Sequence, residues 1–476
     1  MKKKDLVRVF VKGGILSTGD FFKIIKTAHQ LGSDYIHLGS RQDILFPVKE
    51  KSKAVLDETF AAIQTDYQIN EFTHQNILSS YVALDVMPHR VWLVPHVFHH
   101  ILDSIEVKPK YRVNIVDPLQ SIVPLFTGNI NFIASKQDNY WYLYLRFKNQ
   151  DNKPVAYSKI IYGYELHKVI SLIDKMNVVE DNVSTQEIFE AIDRLDLTKQ
   201  NPLEELQYPK SNFPYYEGLN REPGGSYWLG LYWRNNKFSI NILADICQRC
   251  IDTNVGRVSL TPWKSFIVQG IQEKHLIGWD KLMGKSGMNL RHSSLELNWH
   301  LPVLHEDCLE LKNYLVRALD QQDISTSGLT FSIKPNDDIH LFTSVVIEFD
   351  EKVSKSERTY NIQYSTDFNP NSGEYQTYVE NVPQEILPAL LIELSHLYYE
   401  QLEEIPMDNK KPTDTSSATT GTSINFQCES CLTIYDESYG DESQDIAPGT
   451  PFEKLPINYL CPTCGDDKSH YHELKK

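Results

Sequence analysis

Four cysteines near the C-terminus have the spacing of a metal site. Cys428 and Cys431 form one C-x-x-C pair, Cys461 and Cys464 form a second, and the segment 432–460 separates the two pairs. Each pair can fold into a tight turn whose two thiolates bind the same ion, so the four sulfurs can form a tetrahedral site. Such a site suits iron or zinc, and from the cysteines alone a structural zinc ribbon is favoured.

The residues around and between the two pairs favour iron instead, because they resemble rubredoxin over nearly the whole of residues 426–476. The resemblance is carried by Tyr435-Asp436, Gly440-Asp441, Ile446-Ala447-Pro448-Gly449-Thr450-Pro451-Phe452, Leu455-Pro456 and Cys461-Pro462-x-Cys464-Gly465. It implies a small metal-stabilised domain in which one iron alternates between Fe³⁺ and Fe²⁺ and carries one electron. It also implies the four iron ligands, which are Cys428, Cys431, Cys461 and Cys464.

Two positions of this segment depart from the usual rubredoxin pattern. Leu432 follows the second cysteine, where rubredoxins usually have glycine, and only the second turn keeps its glycine, Gly465. A residue other than glycine is strained at positive φ, so we expect Leu432 to change the reduction potential more than the metal site itself. Tyr459 stands where rubredoxins usually have tryptophan, and we expect it to cover the sulfurs together with Tyr435 and Phe452.

The chain before this segment contains two stretches with the same order of predicted elements. Each has a strand, a helix and two further strands, and the helices cover about residues 18–31 and 240–253. The offset that aligns Leu38 with Leu260 also aligns Gln42 with Lys264. The common order and similar lengths indicate an internal duplication. Other helices and strands, including the aromatic strand YWYLYLRF, are predicted between and after the copies.

The duplicated pattern resembles the ferredoxin-like half-domains of nitrite and sulfite reductases. The first copy has a glycine turn, a helix, a strand and then Arg41-Gln42, and the second has Leu260-Thr261-Pro262-Trp263. In that family, basic residues beside such turns hold the carboxylates of sirohaem, so the resemblance implies Arg41 as a candidate sirohaem contact. A solvated arginine on a turn is the alternative.

The resemblances imply an α+β protein of several parts. We expect duplicated ferredoxin-like half-domains, intervening α/β segments and a small rubredoxin-like domain. The expected boundaries are a first half-domain at 1–80, an intervening α+β region at 81–222, a second half-domain at 223–290, the C-terminal part of the reductase-like body at 291–405, a linker at 406–425 and the rubredoxin-like domain at 426–476.

The chain lacks the cysteines that a working reductase of that family needs. The family holds a [4Fe–4S] cluster with C-x5-C followed by C-x3-C, and no cysteine pair here has either spacing. Without those thiolates the cluster has no ligands. The region FSIKPNDDIHLFTS, where C-x3-C is expected, has no cysteine. We therefore expect a reductase-like scaffold without a [4Fe–4S] cluster and without sulfite or nitrite reduction of its own, and we hold sirohaem binding as a minor alternative.

Two weaker patterns could also bind metal or undergo redox chemistry. Cys247 and Cys250 lie on a predicted helix, where ordinary buried thiols are the favoured interpretation. His96 and His100 could face the same way on a helix, but no HExxH glutamate or nearby carboxylate accompanies them. A plain helix surface is favoured there.

Composition narrows the range of partners and locations. The net charge of −16 gives no support to nucleic-acid binding. Charged residues interrupt the apolar N-terminal segment, so we expect no secretion signal, no membrane span and a cytoplasmic location. Residues 406–425 are rich in Thr, Ser, Pro and Asp, which predicts a flexible linker.

Three functions remain open from the sequence. The leading hypothesis is an electron carrier whose rubredoxin-like domain is tethered to a reductase-like scaffold that docks a redox protein, such as a reductase or oxygenase component. The alternatives are a structural zinc protein and an oxidoreductase that uses sirohaem or another pocket cofactor. An electron carrier is favoured over a self-sufficient reductase.

Overall fold

Alternating and helical hydrophobic patterns produce an α+β fold. A computed structural model describes residues 5–49, 52–71, 73–84, 86, 93–148, 153–209, 213–222, 225–288, 290, 296–335, 342–402, 425–431, 433–437, 440–441, 444, 446–447, 449–456, 459–462 and 464–473. The chain divides into two units, Met1–Glu403 and Glu404–Lys476. They are called the body and the C-terminal unit below. Leu432 and residues 406–424 of the expected linker lie outside the described residues.

The strands are β1 Asp5–Val9, β2 Ile15–Ser17, β3 Tyr35–Leu38, β4 Ile44–Val48, β5 Tyr67–Ile69, β6 Leu78–Ser79, β7 Val113–Val116, β8 Ile130–Ala134, β9 Tyr140–Leu145, β10 Val155–Ala156, β11 Ile160–Tyr162, β12 Lys199–Gln200, β13 Gly218–Arg221, β14 Tyr227–Tyr232, β15 Phe238–Ser239, β16 Arg257–Leu260, β17 Ser265–Ile271, β18 Trp299–His300, β19 Phe331–Lys334, β20 Val345–Glu348, β21 Tyr360–Ser365, β22 Tyr375–Val382, β23 Asn425–Cys428, β24 Ile434–Asp436 and β25 Tyr471–Glu473. The α-helices are α1 Thr18–Gln30, α2 Lys53–Ala62, α3 Pro95–Ser104, α4 Leu166–Lys175, α5 Thr185–Asp193, α6 Ile240–Asp252, α7 Leu276–Ser286, α8 Glu306–Gln321 and α9 Leu387–Gln401.

The two predicted copies have the same elements at the same spacing. The offset that aligns Leu38 with Leu260 relates α1 to α6 and β3 to β16, with both ends of each element in register. Gln42 and Lys264, which this offset also aligns, both have a left-handed backbone, with φ of 57° and 58°. Residues other than glycine adopt this conformation infrequently. Its recurrence at aligned positions supports the duplication independently of the hydrophobic pattern.

The two copies share one core because they exchange short strands. Strand β2 of the first copy completes the sheet β13-β14-β17-β16-β2, and β15 of the second copy completes the sheet β15-β3-β4-β1-β5. Helices α1 and α6 pack against each other between the sheets. The spacing of Phe21, Ile24, Ile25 and Ala28 buries one face of α1 in this shared core.

The duplication extends further than the sequence pattern indicated. The remaining body sheets have the orders β12-β11-β9-β8-β7-β6 and β18-β19-β20-β21-β22. In both sheets the first three strands along the chain pair in parallel with one another. The next two pairings in each sheet are antiparallel. Each sheet is covered by helices, which are α3, α4 and α5 in the first and α8 and α9 in the second. The predicted aromatic strand is β9, as expected.

The C-terminal unit has a small sheet of the order β24-β23-β25. Among its described residues the core has four buried side chains, which are Tyr435, Phe452, Leu455 and Tyr459. A core of this size is far smaller than a domain normally needs for stability. Within the described residues, no helix combines the length and the apolar character that crossing a membrane requires.

Candidate metal centre

Two turns of matching geometry present the four cysteines of the C-terminal unit. The amide of Cys428 donates to the Thr433 carbonyl at 2.9 Å, and the amide of Cys461 donates to the Asp466 carbonyl at 2.7 Å, five residues ahead in both cases. Gly465 closes the second turn at a φ of 78°, a conformation that suits glycine. The backbone thus points both cysteine pairs toward one centre.

The four sulfurs converge to the dimensions of a tetrahedral metal site. The sulfurs of Cys428 and Cys464 are 3.6 Å apart, and those of Cys431 and Cys461 are 3.4 Å apart. All four lie within 4.8 Å of one another. Four thiolates about 2.3 Å from a metal ion would be separated by about 3.8 Å. The donor set and its dimensions therefore fit a single four-coordinate ion.

The site is buried on one side and open on the other. Cys428 and Cys461 are buried, Cys431 is half-buried and Cys464 is exposed. The Cys431 and Cys464 side is therefore the open edge of the site.

Aromatic side chains pack together in the core of the C-terminal unit. The rings of Phe426 and Phe452 stack with centroids 4.1 Å apart, and Tyr435 and Tyr459 meet at 5.8 Å. The Tyr459 hydroxyl donates to Asp441 Oδ2 at 3.0 Å, so its polar end is satisfied. The tyrosine in place of tryptophan thus belongs to this aromatic core, and its cover of the sulfurs stays a prediction.

Tyr471 is a residue beside the site that the sequence reasoning missed. It lies opposite Cys428 in the pairing of β25 with β23. Its hydroxyl is buried and has no conventional hydrogen-bond partner among the described residues. Burial, together with the neighbouring Cys461 sulfur, raises the pKa of Tyr471, so the hydroxyl stays neutral and is available as a donor.

Acidic side chains accompany the open edge of the site. The Ser430 side chain and the Cys464 thiol hold the pKa of Asp466 below its usual value, and the Ser469 side chain and amide do the same for Asp467. Both carboxyls are therefore ionised at neutral pH. The open edge thus carries negative charge from the protein itself.

Arg41, the predicted sirohaem contact, is buried in the turn between β3 and β4. Its Nη1 donates to Asn114 Oδ1 at 2.7 Å, and its Nη2 donates to the carbonyls of Val113 at 2.6 Å and Asn76 at 3.1 Å. The alternative of a solvated arginine is wrong, because the residue is only 8% exposed. Within the described residues only its Nε lacks a partner. The arrangement favours a structural role, and contact with sirohaem stays a prediction.

The two weaker patterns of the sequence lie on helices α6 and α3 of the body. Cys247 and Cys250 are fully buried on α6, and burial raises the pKa of Cys250 to about 12, which suits inert thiols. His96, His99 and His100 lie exposed on α3. Among the described residues, the four cysteines of the C-terminal unit are the one group with three or more potential metal ligands.

Comparison with known proteins identifies the C-terminal unit. The rubredoxin family profile matches residues 425–471. Anaerobic nitric oxide reductase flavorubredoxin from Shigella boydii serotype 4 is 43% identical over 68 residues, which are 14% of each chain. The protein of the same description from Escherichia coli O1:K1 is 45% identical over 62 residues, 13% of each chain. The chain thus matches about one seventh of the length of these relatives, and residues 425–471 form a rubredoxin domain.

A solved structure shares the fold of the body. The NirA protein of Mycobacterium tuberculosis superposes with a TM-score of 0.62 at 14% identity, covering 84% of this chain and 81% of the other. Coverage of this extent must include most of the body. The body therefore shares the fold of NirA, and at this identity the likeness concerns the fold alone.

Proposed function

We propose that this protein transfers single electrons through an iron ion held by Cys428, Cys431, Cys461 and Cys464, and that the body docks the redox partner. The observation that carries the proposal is the convergence of the four sulfurs within 4.8 Å in a domain that matches rubredoxin. Iron bound by four thiolates supplies a one-electron couple.

The surroundings of the sulfurs support a site that exchanges electrons. Cys428 and Cys461 are buried, while Cys464 is exposed at the surface. Backbone N–H groups of the two turns can donate to the sulfurs and so stabilise their negative charge. A partner therefore needs to approach only the open edge.

The body supports docking rather than catalysis of its own. Its three cysteines, Cys247, Cys250 and Cys308, are buried and lack the spacing of the cluster motif of the reductase family. The flavorubredoxin relatives are described as nitric oxide reductases, which supports a reductase as the partner class. The scaffold would then bring the rubredoxin domain to a protein that performs the chemistry.

Charge and tether define how the rubredoxin domain would meet its partner. Residues 426–476 contain ten acidic residues and four lysines, so a basic partner surface would be attracted. A linker over residues 406–425 spans roughly 25 Å and would hold the domain at about millimolar effective concentration. Electron transfer should therefore slow when salt shortens the Debye length from about 10 Å to about 3 Å, and slow again when the linker is cut.

The decisive test is the metal content and visible spectrum of the full chain. We expect one iron per chain, a red oxidised form and bleaching by reductant. Stoichiometric zinc from cells grown with ample iron would contradict the proposal and favour the zinc alternative. Acid-labile sulfide near about four per chain would instead indicate a [4Fe–4S] cluster and an oxidoreductase.

A further inference from the structure

The two copies of the duplication differ in side-chain chemistry at one pair of aligned positions, and the residue of the second copy lines a cavity. Gln42 of the first copy aligns with Lys264 of the second, and both have the same left-handed backbone. Gln42 Nε2 donates to the Ser79 carbonyl, and Lys264 Nζ donates to the carbonyl of Leu301, which the same offset aligns with Ser79. The local architecture is therefore the same, and the side-chain chemistry differs.

In the first copy the polar atoms of Gln42 are fully satisfied. Its Nε2 donates to the carbonyls of Ser79 at 3.0 Å and Leu260 at 2.8 Å, and its Oε1 accepts from the Ser79 amide at 2.9 Å. Gly14 allows this close packing, since a Cβ there would meet the Gln42 amide at 2.5 Å. This copy has no need of a ligand.

In the second copy the ammonium of Lys264 is left with unused donors. Among the described residues its Nζ has a single hydrogen-bond acceptor, the Leu301 carbonyl. The carbonyl of Leu38, equivalent to that of Leu260, accepts from Asn236 Nδ2 at 2.9 Å instead. Lys264 is only 6% exposed. A buried ammonium with two donors unused is costly unless another group accepts from it.

Lys264 lines a cavity of about 110 Å³ that is strongly cationic. Two other cations of its wall, Arg234 and Lys312, share one carboxylate, that of Glu296, at 2.7 Å and 2.9 Å. The remaining charged or polar lining includes one acidic residue, Glu306, and His37, Tyr232, Asn235, Asn236, Lys237 and His305. The wall therefore has more positive than negative charge.

We propose that this cavity binds a small oxoanion, with the Lys264 ammonium as its principal donor. A volume of about 110 Å³ corresponds to roughly three or four water molecules, which suits an anion of about three to five heavy atoms. The shared chemistry is a compact group of anionic oxygens, either a small carboxylate or an inorganic oxoanion. Burial lowers the pKa of Lys264 to about 7, as expected for an ammonium that lacks a counterion in its own protein.

The test measures anion binding by the full-length, metal-loaded protein. The unfolding midpoint of the body is recorded at constant ionic strength in chloride and with formate, acetate, nitrate or phosphate replacing part of the chloride. We expect at least one of the four oxoanions to raise the midpoint over chloride, because a ligand of the folded state stabilises it. A rise with formate or acetate alone identifies a carboxylate, and a rise with nitrate or phosphate alone identifies an inorganic ion. No rise with any of them overturns the proposal.

Variants then assign the binding to Lys264. Lys264→Gln introduces the residue that the first copy accommodates at the same backbone conformation, so the fold should tolerate it. We expect its dissociation constant, measured by calorimetry, to rise at least about tenfold for the anion that stabilises the wild type. The matched control is Lys281→Gln on the exposed face of α7, which should bind as the wild type does. Equal affinity in Lys264→Gln and the wild type overturns the assignment. If the glutamine variant is unstable, Lys264→Met, which removes the ammonium and keeps a long side chain, provides the same comparison.

Discussion

The body and the rubredoxin domain of this chain are stabilised by different means. The body has large cores that join several sheets and helices, whereas the core of the rubredoxin domain has four buried side chains among the described residues. A small core cannot offset the entropy of ordering the chain. Metal binding must therefore provide much of the folding free energy of the rubredoxin domain, while the body depends on packing.

The largest expected effect separates the two regions by their metal dependence. Cys464→Ser should lose most of the iron and unfold the rubredoxin domain, because metal affinity and folding are coupled there. The body should keep its unfolding midpoint. Iron analysis and limited proteolysis of the full chain measure both effects. Cys308→Ser, in the body, is the control and should keep the iron, and a folded, iron-bound Cys464→Ser domain would contradict the comparison.

A buried ion pair should affect only the body. Lys312→Met leaves the Glu296 carboxylate, which is 3% exposed, with Arg234 as its remaining ion-pair partner among the described residues. Removing one member of a buried pair costs about 3 kcal/mol, so the denaturant midpoint of the body should fall while the iron spectrum stays unchanged. Lys355→Met removes an exposed ammonium that pairs with Asp307 and Glu310, and it should change the midpoint little. Equal effects of the two substitutions would show that burial does not decide the outcome.

Acid should weaken the body through His37. Burial lowers the pKa of His37 to about 4, below the value of about 6.5 in an unfolded chain. The unfolded state therefore binds the proton first, so stability is complete above pH 6.5 and is lost as the pH falls toward 4. The loss should reach about 2 kcal/mol at pH 5. Denaturant titrations of the wild type and His37→Gln at pH 8 and pH 5 test this, since a parallel loss in both would exclude His37 as the cause.

The smallest expected effect is confined to the rubredoxin domain. If the buried Tyr471 hydroxyl donates to the Cys461 sulfur, Tyr471→Phe removes a hydrogen bond worth about 1 kcal/mol. Hydrogen bonds to the sulfurs stabilise the reduced, more negative site, so the reduction potential should fall by ~40 mV. Spectroelectrochemistry measures the shift, with Tyr435→Phe as control because the Tyr435 hydroxyl donates to the Thr450 carbonyl. An unchanged potential in Tyr471→Phe would mean that the hydroxyl does not reach the sulfur.

Much of the metal site could be predicted from the sequence because its information is local. A C-x-x-C pair forms its turn within a few residues, and the second turn carries its own glycine, Gly465. Tyr471 was missed because it lies well beyond the second cysteine pair in sequence. Only the pairing of β25 with β23 brings it beside the sulfurs.

The same distinction applies to the body. Hydrophobic period and helix length determine α1 and α6 almost to the residue, since those signals depend on neighbours along the chain. The exchange of β2 and β15 between the copies, and the repetition of the larger sheets, depend on pairings between distant segments that no local pattern specifies.

The sequence alone therefore determined the four-cysteine motif, the duplication and the absence of the cluster motif. The tertiary structure decided that Arg41 is buried among protein carbonyls, and that Gln42 is enclosed while Lys264 faces a cavity. The burial of a residue and the balance of its charge depend on side chains from several elements. They appear only when the chain has folded and those elements meet.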